Sequence, residues 1–210
     1  MPLLKLPQLT TKCPSDAPRV SVWHATETAR DLFEKLPPHW NKPAEALNIY
    51  KNEARKKEVL AEHLLLLEAL GENIELKHTA SGQPILKGSE LHCSISHSHG
   101  YVAIGLSPAP LGLDIEVWGP KAFKLRERFL SKEEMISTPA DAERHAVRLW
   151  TAKEAVYKHF NSSKLANFLD TIRIEQTPTG WKGTALPLQQ SARLQFVECE
   201  PFALCFTTTL

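Results

Sequence analysis

Apolar and polar residues alternate along Arg19–Ala25 (RVSVWHA), the period of a half-buried strand. The segment TETARDLFEKL from Thr26 changes to a helical spacing, with Thr26 or Thr28 placed to cap it. PPHWNKP ends that helix, and a long helix is expected over residues 44–70, where Val59, Leu60, Leu64 and Leu67 recur on one face. Gly71 is its natural terminator. NIELKHTASGQPIL reads as strand, Ser-Gly turn and strand, and LHCSISHSHGYVAIGLSP as two strands flanking SHSHG. GLDIEVW, Gly112–Trp118, is a further strand. KAFKLRERFLSKEEMIS is helical by pattern, with Ser131 capping a second piece because SKEE fits a capping box. DAERHAVRLWTAKEAVYKHF is the clearest helix, and the remaining tail predicts three or four strands.

Helices and strands fall in similar proportion before and after the PAPLG segment, Pro108–Gly112, the best candidate boundary. The chain therefore divides into 1–107 and 108–210, with a site expected where the halves meet. The proline-rich opening is expected to drape loosely over the surface.

The chain has 210 residues, 42% hydrophobic and 23% charged, which is an ordinary globular composition. A formal charge of +1 gives no general attraction to nucleic acid or an acidic membrane, so any electropositive surface must be local. Four scattered cysteines, Cys13, Cys93, Cys199 and Cys205, do not make a disulfide framework, and no CxxC occurs. The longest leucine run, Leu64–Leu67, is too short to cross a bilayer. With no secretory signal pattern at the N-terminus, a reducing cytoplasm is the expected compartment.

One feature of GLDIEVW is chemically odd. In a strand Leu113, Ile115 and Val117 share one face, and Asp114 and Glu116 share the other. Two carboxylates so placed raise each other's pKa or hold a cation. On the clearest helix Trp150, Glu154 and Lys158 follow at i, i+4 and i+8 on one face, with Lys153 beside them. Alone, that is a solvated Glu–Lys pair. Combined with the strand, Glu154 would complete a three-carboxylate oxygen site of the sort that takes Mg²⁺, with Lys153 and Lys158 suited to phosphate oxygens.

GLDIE and WTAKEAVYK, together with ISHSHG and SGQP, resemble in order and spacing the signature blocks of the Sfp-type 4'-phosphopantetheinyl transferases, over residues 51–160. The resemblance implies an α+β fold of two similar α/β halves related by a pseudo-twofold axis, with the active site in the cleft between them. It implies transfer of the phosphopantetheine arm of coenzyme A to a serine of an apo carrier protein, with release of adenosine 3',5'-bisphosphate. Asp114, Glu116 and Glu154 match the Mg²⁺ ligands (Mn²⁺ is possible), Glu154 the general base, and Lys158 the lysine beside the pyrophosphate. Lys153, Ser96, His97, Gln83, Pro84, Arg55 and Lys56 match coenzyme A contacts, with Lys42 a further candidate. Many relatives carry Lys or Arg where Gln83 stands, and an arginine where His63 stands.

Lys121, Lys124, Arg126 and Arg128, interleaved with Phe123, Leu125 and Phe129, would suit docking of an acidic carrier helix. The same pattern also fits an amphipathic helix that buries Leu125 and Phe129. Neither a nucleic-acid nor a membrane partner is expected, and a monomer supplies both sides of the cleft. The competing readings are another Mg²⁺-dependent phosphoryl-transfer enzyme and a non-enzymatic coenzyme A or carrier-binding module. A Ser-His hydrolase is more remote, since no GxSxG elbow exists. A zinc site at His92, Cys93, His97 and His99 would crowd its ligands onto one strand-turn.

Overall fold

The computed structural model describes residues 17–136 and 140–209, together with the backbone of 3–4. The proline-rich opening and Cys13 lie outside the described residues. The chain is mixed α and β, with antiparallel pairing throughout.

The first sheet has the order β1-β2-β6-β5, from β1 (Leu3–Leu4), β2 (Arg19–His24), β5 (His92–Ser98) and β6 (Tyr101–Ser107). The hairpin β3 (Glu75–His78) and β4 (Pro84–Lys87) forms a separate pair. Thr28 caps α1 (Ala29–Phe33) through a reciprocal bond with Asp31. The long helix expected over 44–70 is two helices, α2 (Asn41–Ile49) and α3 (Glu53–Leu70). The break has a local cause: Tyr50 is extended, and the Asn52 side chain accepts from Ala54 N to start a new helix. Leu60, Leu64 and Leu65 of α3 pack with Val102, Ile104 and Leu106 of β6. The turn between β5 and β6 uses His99 and Gly100, both at positive φ (48° and 84°).

The second sheet has the order β7-β11-β10-β9-β8, from β7 (Leu113–Val117), β8 (Ile172–Thr177), β9 (Gly180–Ala185), β10 (Gln190–Cys199) and β11 (Phe202–Thr208). Helix α5 (Ala142–Phe160) covers it, burying Leu149, Ala152, Ala155 and Val156. Between them lie α4 (Pro120–Leu125), a 3₁₀ turn Arg126–Arg128 and the short α6 (Phe168–Thr171). The second helical piece expected at Ser131 is a single turn. Its capping-box bonds nevertheless form, Ser131 N to Glu134 Oε2 at 2.8 Å and Glu134 N to Ser131 Oγ at 3.3 Å.

The two sheets meet at their edges, β5 beside β7. Among the described residues no backbone ladder joins these strands; serine side chains do so instead. Ser94, Ser96 and Ser98, all buried and all on one face of β5, point at β7. Leu113 N donates to Ser94 Oγ at 2.9 Å and Val117 N to Ser98 Oγ at 3.2 Å. Val22 and Ala103 of the first sheet pack against Leu111, Leu113 and Leu204 beneath this seam.

Candidate active site

The strand alternation places Leu113 and Ile115 in the core and turns Asp114 and Glu116 to the seam. There the serines of β5 receive them: Ser96 Oγ donates to Asp114 Oδ1 at 2.6 Å, and Ser98 Oγ to Glu116 Oε2 at 2.7 Å. From the opposite side Lys158 Nζ donates to Asp114 Oδ1 at 2.7 Å. Asp114 Oδ2 is buried and has no partner. A buried carboxylate oxygen left bare costs free energy unless something binds it.

Glu154 projects from α5 into the same space. Burial, with Asp114 next, pushes its carboxyl up to about 7; Lys158 opposes and Glu116 adds to the rise. Glu116 is also raised, chiefly by burial; the Ser98 hydroxyl opposes, and Asp114 adds to the rise. The three predicted carboxylates therefore converge closely enough to feel one another. Among the described residues no ready-made cluster of three His, Cys, Asp or Glu ligands exists, for a metal or for the crowded His-Cys zinc alternative. The Lys158 ammonium serves as counter-charge to Asp114. The donor set fits a hard divalent cation, having a bare Asp114 oxygen and a Glu154 carboxyl whose pKa burial and acidic neighbours raise.

Gly112 explains how a helix comes this close. A Cβ on Gly112 would lie 1.9 Å from Ala155 O and 2.5 Å from His159 N, so only glycine lets α5 pack on the strand entering Asp114. Thr207 holds the same point, accepting from Gly112 N at 2.8 Å and donating its own N–H to Gly112 O at 2.9 Å.

With this geometry in view, the comparisons are specific. Residues 110–206 match the family model described as the 4'-phosphopantetheinyl transferase superfamily. Over these residues the chain is similar to that superfamily. The chain is 32% identical over 108 residues to the 4'-phosphopantetheinyl transferase psf-1 of Bacillus pumilus, covering 48% of this chain and 46% of the relative. It is 32% identical over 97 residues to the 4'-phosphopantetheinyl transferase gsp of Aneurinibacillus migulanus, covering 44% of this chain and 40% of the relative. The matched stretches thus span less than half the length of either transferase.

The superfamily segment holds β7 and α5; the other expected contacts come from the first half. Arg55 at the start of α3 meets His97 at the end of β5, its Nη1 donating to His97 Nε2 at 2.9 Å. His97 Nδ1 then faces Glu58 Oε1 at 3.3 Å. Glu58 and Glu62 flank the guanidinium at 3.1 and 3.6 Å. The pKa of His97 is lowered; burial dominates, Glu58 opposes and Arg55 adds to the lowering. Gln83 and Pro84 sit in the turn opening β4, where Asn161 Nδ2 at the end of α5 donates to Gln83 Oε1 at 2.7 Å, tying the halves together. A cavity of about 280 Å³, lined by Trp40, Lys42, His63 and Leu76, lies in the first half and not at the carboxylates.

One expectation needs correction. Lys153 is not a phosphate ligand: it is 0% exposed, and its ammonium bonds Glu134 Oε2, Phe168 O and Ile172 O at 2.9, 3.1 and 2.7 Å, using all three donors. Lys56 pairs with Glu53 at 3.7 Å. Ser96 donates its hydroxyl hydrogen to Asp114 at 2.6 Å, so it supports that carboxylate. Sequence reasoning missed Glu134, Ser94 and Ser98. The polar residues at 94, 96 and 98, all on one face of an otherwise apolar strand, were the available signal.

On α4 and the 3₁₀ turn, Lys121, Lys124 and Arg128 are exposed, while Arg126 folds back over the Phe123 ring at 4.1 Å. Phe129 is buried, but Leu125 is 37% exposed, contrary to the purely amphipathic alternative. Among the described residues no helix is long and apolar enough to cross a membrane. Cys93, Cys199 and Cys205 are free thiols.

Proposed function

We propose that this protein transfers the 4'-phosphopantetheine arm of coenzyme A to a serine of an apo carrier protein, releasing adenosine 3',5'-bisphosphate. The observation that carries the reading is the meeting of Asp114, Glu116, Glu154 and Lys158 at the seam, within the segment that matches the superfamily. The halves 1–107 and 108–210 are taken as pseudo-twofold related, each supplying one wall of the cleft, in a cytoplasmic monomer.

Asp114, Glu116 and Glu154 would hold Mg²⁺ or Mn²⁺, which when bound supplies positive charge to the pyrophosphate. Lys158 swings from Asp114 to the oxygens of the departing bisphosphate, where charge develops. Glu154, with a pKa of about 7 before any cation binds, accepts the proton of the carrier serine as its oxygen attacks phosphorus. Arg55 and His97 receive the adenosine end, and exchange of Glu58 for a phosphate as the partner of His97 raises the imidazole pKa. Lys121, Lys124 and Arg128, with exposed Leu125, form the surface for an acidic carrier helix.

Intact mass of an apo acyl carrier protein incubated with this protein, coenzyme A and Mg²⁺ tests the reading. The carrier gains one phosphopantetheine, and EDTA abolishes the gain. An unmodified carrier at equimolar enzyme, with several acyl and peptidyl carriers tried, would refute it.

A further inference from the structure

Residue 134 holds α5 at two points. His145 Nε2 lies 2.6 Å from Glu134 O, and eight residues along the same helix Lys153 Nζ reaches Glu134 Oε2 at 2.9 Å. Glu134 is itself immobilised: Ile174 N donates to Oε1 and Ser131 N to Oε2, both at 2.8 Å, with Arg173 Nη1 3.8 Å away. Lys153 continues the network to Phe168 O and Ile172 O, the first residues of α6 and β8. Lys153 is 0% exposed and Glu134 6%, so the pair is enclosed.

An enclosed ion pair is a poor source of stability, because desolvation cancels most of the attraction. Its directional value is larger. Lys153 and Glu154 are consecutive on α5, about 100° apart around the axis. A turn of about 20° would carry a carboxylate some 6 Å from the axis through about 2 Å. That distance separates a liganding oxygen from a bystander.

We infer that Glu134 and Lys153 are positioning residues, a buried latch that fixes the rotation of α5 so that Glu154 and Lys158 face Asp114 and Glu116. The inference rests on the proposed carboxylate site but makes its own claim, about orientation. Neither residue touches the reacting groups.

The test compares wild type, Lys153→Met and the doubly apolar Lys153→Met/Glu134→Met. Melting temperature, Mn²⁺ affinity by electron paramagnetic resonance, and the orientation of α5 against β7 from residual dipolar couplings are measured below each melting transition. Lys153→Met is expected to melt earlier, to turn α5, and to weaken Mn²⁺ binding about tenfold. The double variant regains melting temperature, since apolar packing replaces the pair, yet α5 stays turned and Mn²⁺ stays weak. Recovery of Mn²⁺ affinity together with melting temperature, or an unturned α5 in both variants, overturns the latch. A wild type that binds no Mn²⁺ while α5 still turns in the variants supports the latch and overturns the metal site.

Discussion

Lys153 and Glu154 are neighbours on α5 in opposite electrostatic environments. Every hydrogen of the Lys153 ammonium has an acceptor inside the protein. The Glu154 carboxyl meets mainly burial and two like charges, with Lys158 as its one opposing cation. The first arrangement is finished, and nothing can be added to it. The second is incomplete, and its incompleteness is what makes it a site: a bare Asp114 oxygen and a raised Glu154 both call for positive charge from outside. A satisfied buried charge thus reads as architecture and an unsatisfied one as chemistry.

The contrast is broken most severely at Glu154 itself. Glu154→Gln keeps shape but removes the proposed base and one proposed oxygen ligand; transfer should fall about a thousandfold. Thermal melting should hold or rise, because a buried carboxyl with a raised pKa is removed. A large loss of melting temperature would instead make Glu154 architectural.

Gly112→Ala attacks the approach of α5 without altering any charge. Its methyl meets the backbone of Ala155, which cannot yield as a side chain can. The expected cost is about 3 kcal/mol in urea unfolding, with loss of Mn²⁺ binding in the folded fraction. An alanine variant with wild-type stability would show that the helix has room.

Glu62 on α3 stands between the two extremes, 5% exposed with Arg55 as partial partner at 3.6 Å. Burial leads, and despite Arg55 its pKa is raised from 4.5 to about 7. A carboxyl raised on folding keeps its proton longer in the native state, so its contribution is full below pH 4.5 and disappears as pH rises through 7. Glu62→Gln should therefore leave stability near pH 4 unchanged and raise it near pH 8 by about 3 kcal/mol. Denaturant titrations at the two pH values check this; an equal effect at both would place the folded pKa near 4.5.

Much of this arrangement could be read from the chain. The carboxylates of β7 and the face shared by Glu154 and Lys158 follow from two periodicities, and local pattern alone decides both. The break at Tyr50–Asn52 was less legible, since a capping asparagine inside an apolar repeat looks like an ordinary polar position. Lys153 is misleading in the sequence because a lysine beside a candidate metal-binding glutamate invites a phosphate. Its spacing from Leu149, Val156 and Phe160 already put it on the inward face. Its acceptors at Glu134, Phe168 and Ile172 come from three separate segments, and only tertiary packing brings them together.

The most direct measurement of the central claim is the titration of the Glu154 carboxyl by carbon-13 NMR, with and without Mg²⁺. The account predicts a midpoint of about 7 in the free protein, as burial and its two acidic neighbours require. Saturating Mg²⁺ should bring that midpoint below about 5, because a divalent charge favours the ionised carboxylate. A midpoint unmoved by Mg²⁺ would contradict the convergence of Asp114, Glu116 and Glu154 on one cation.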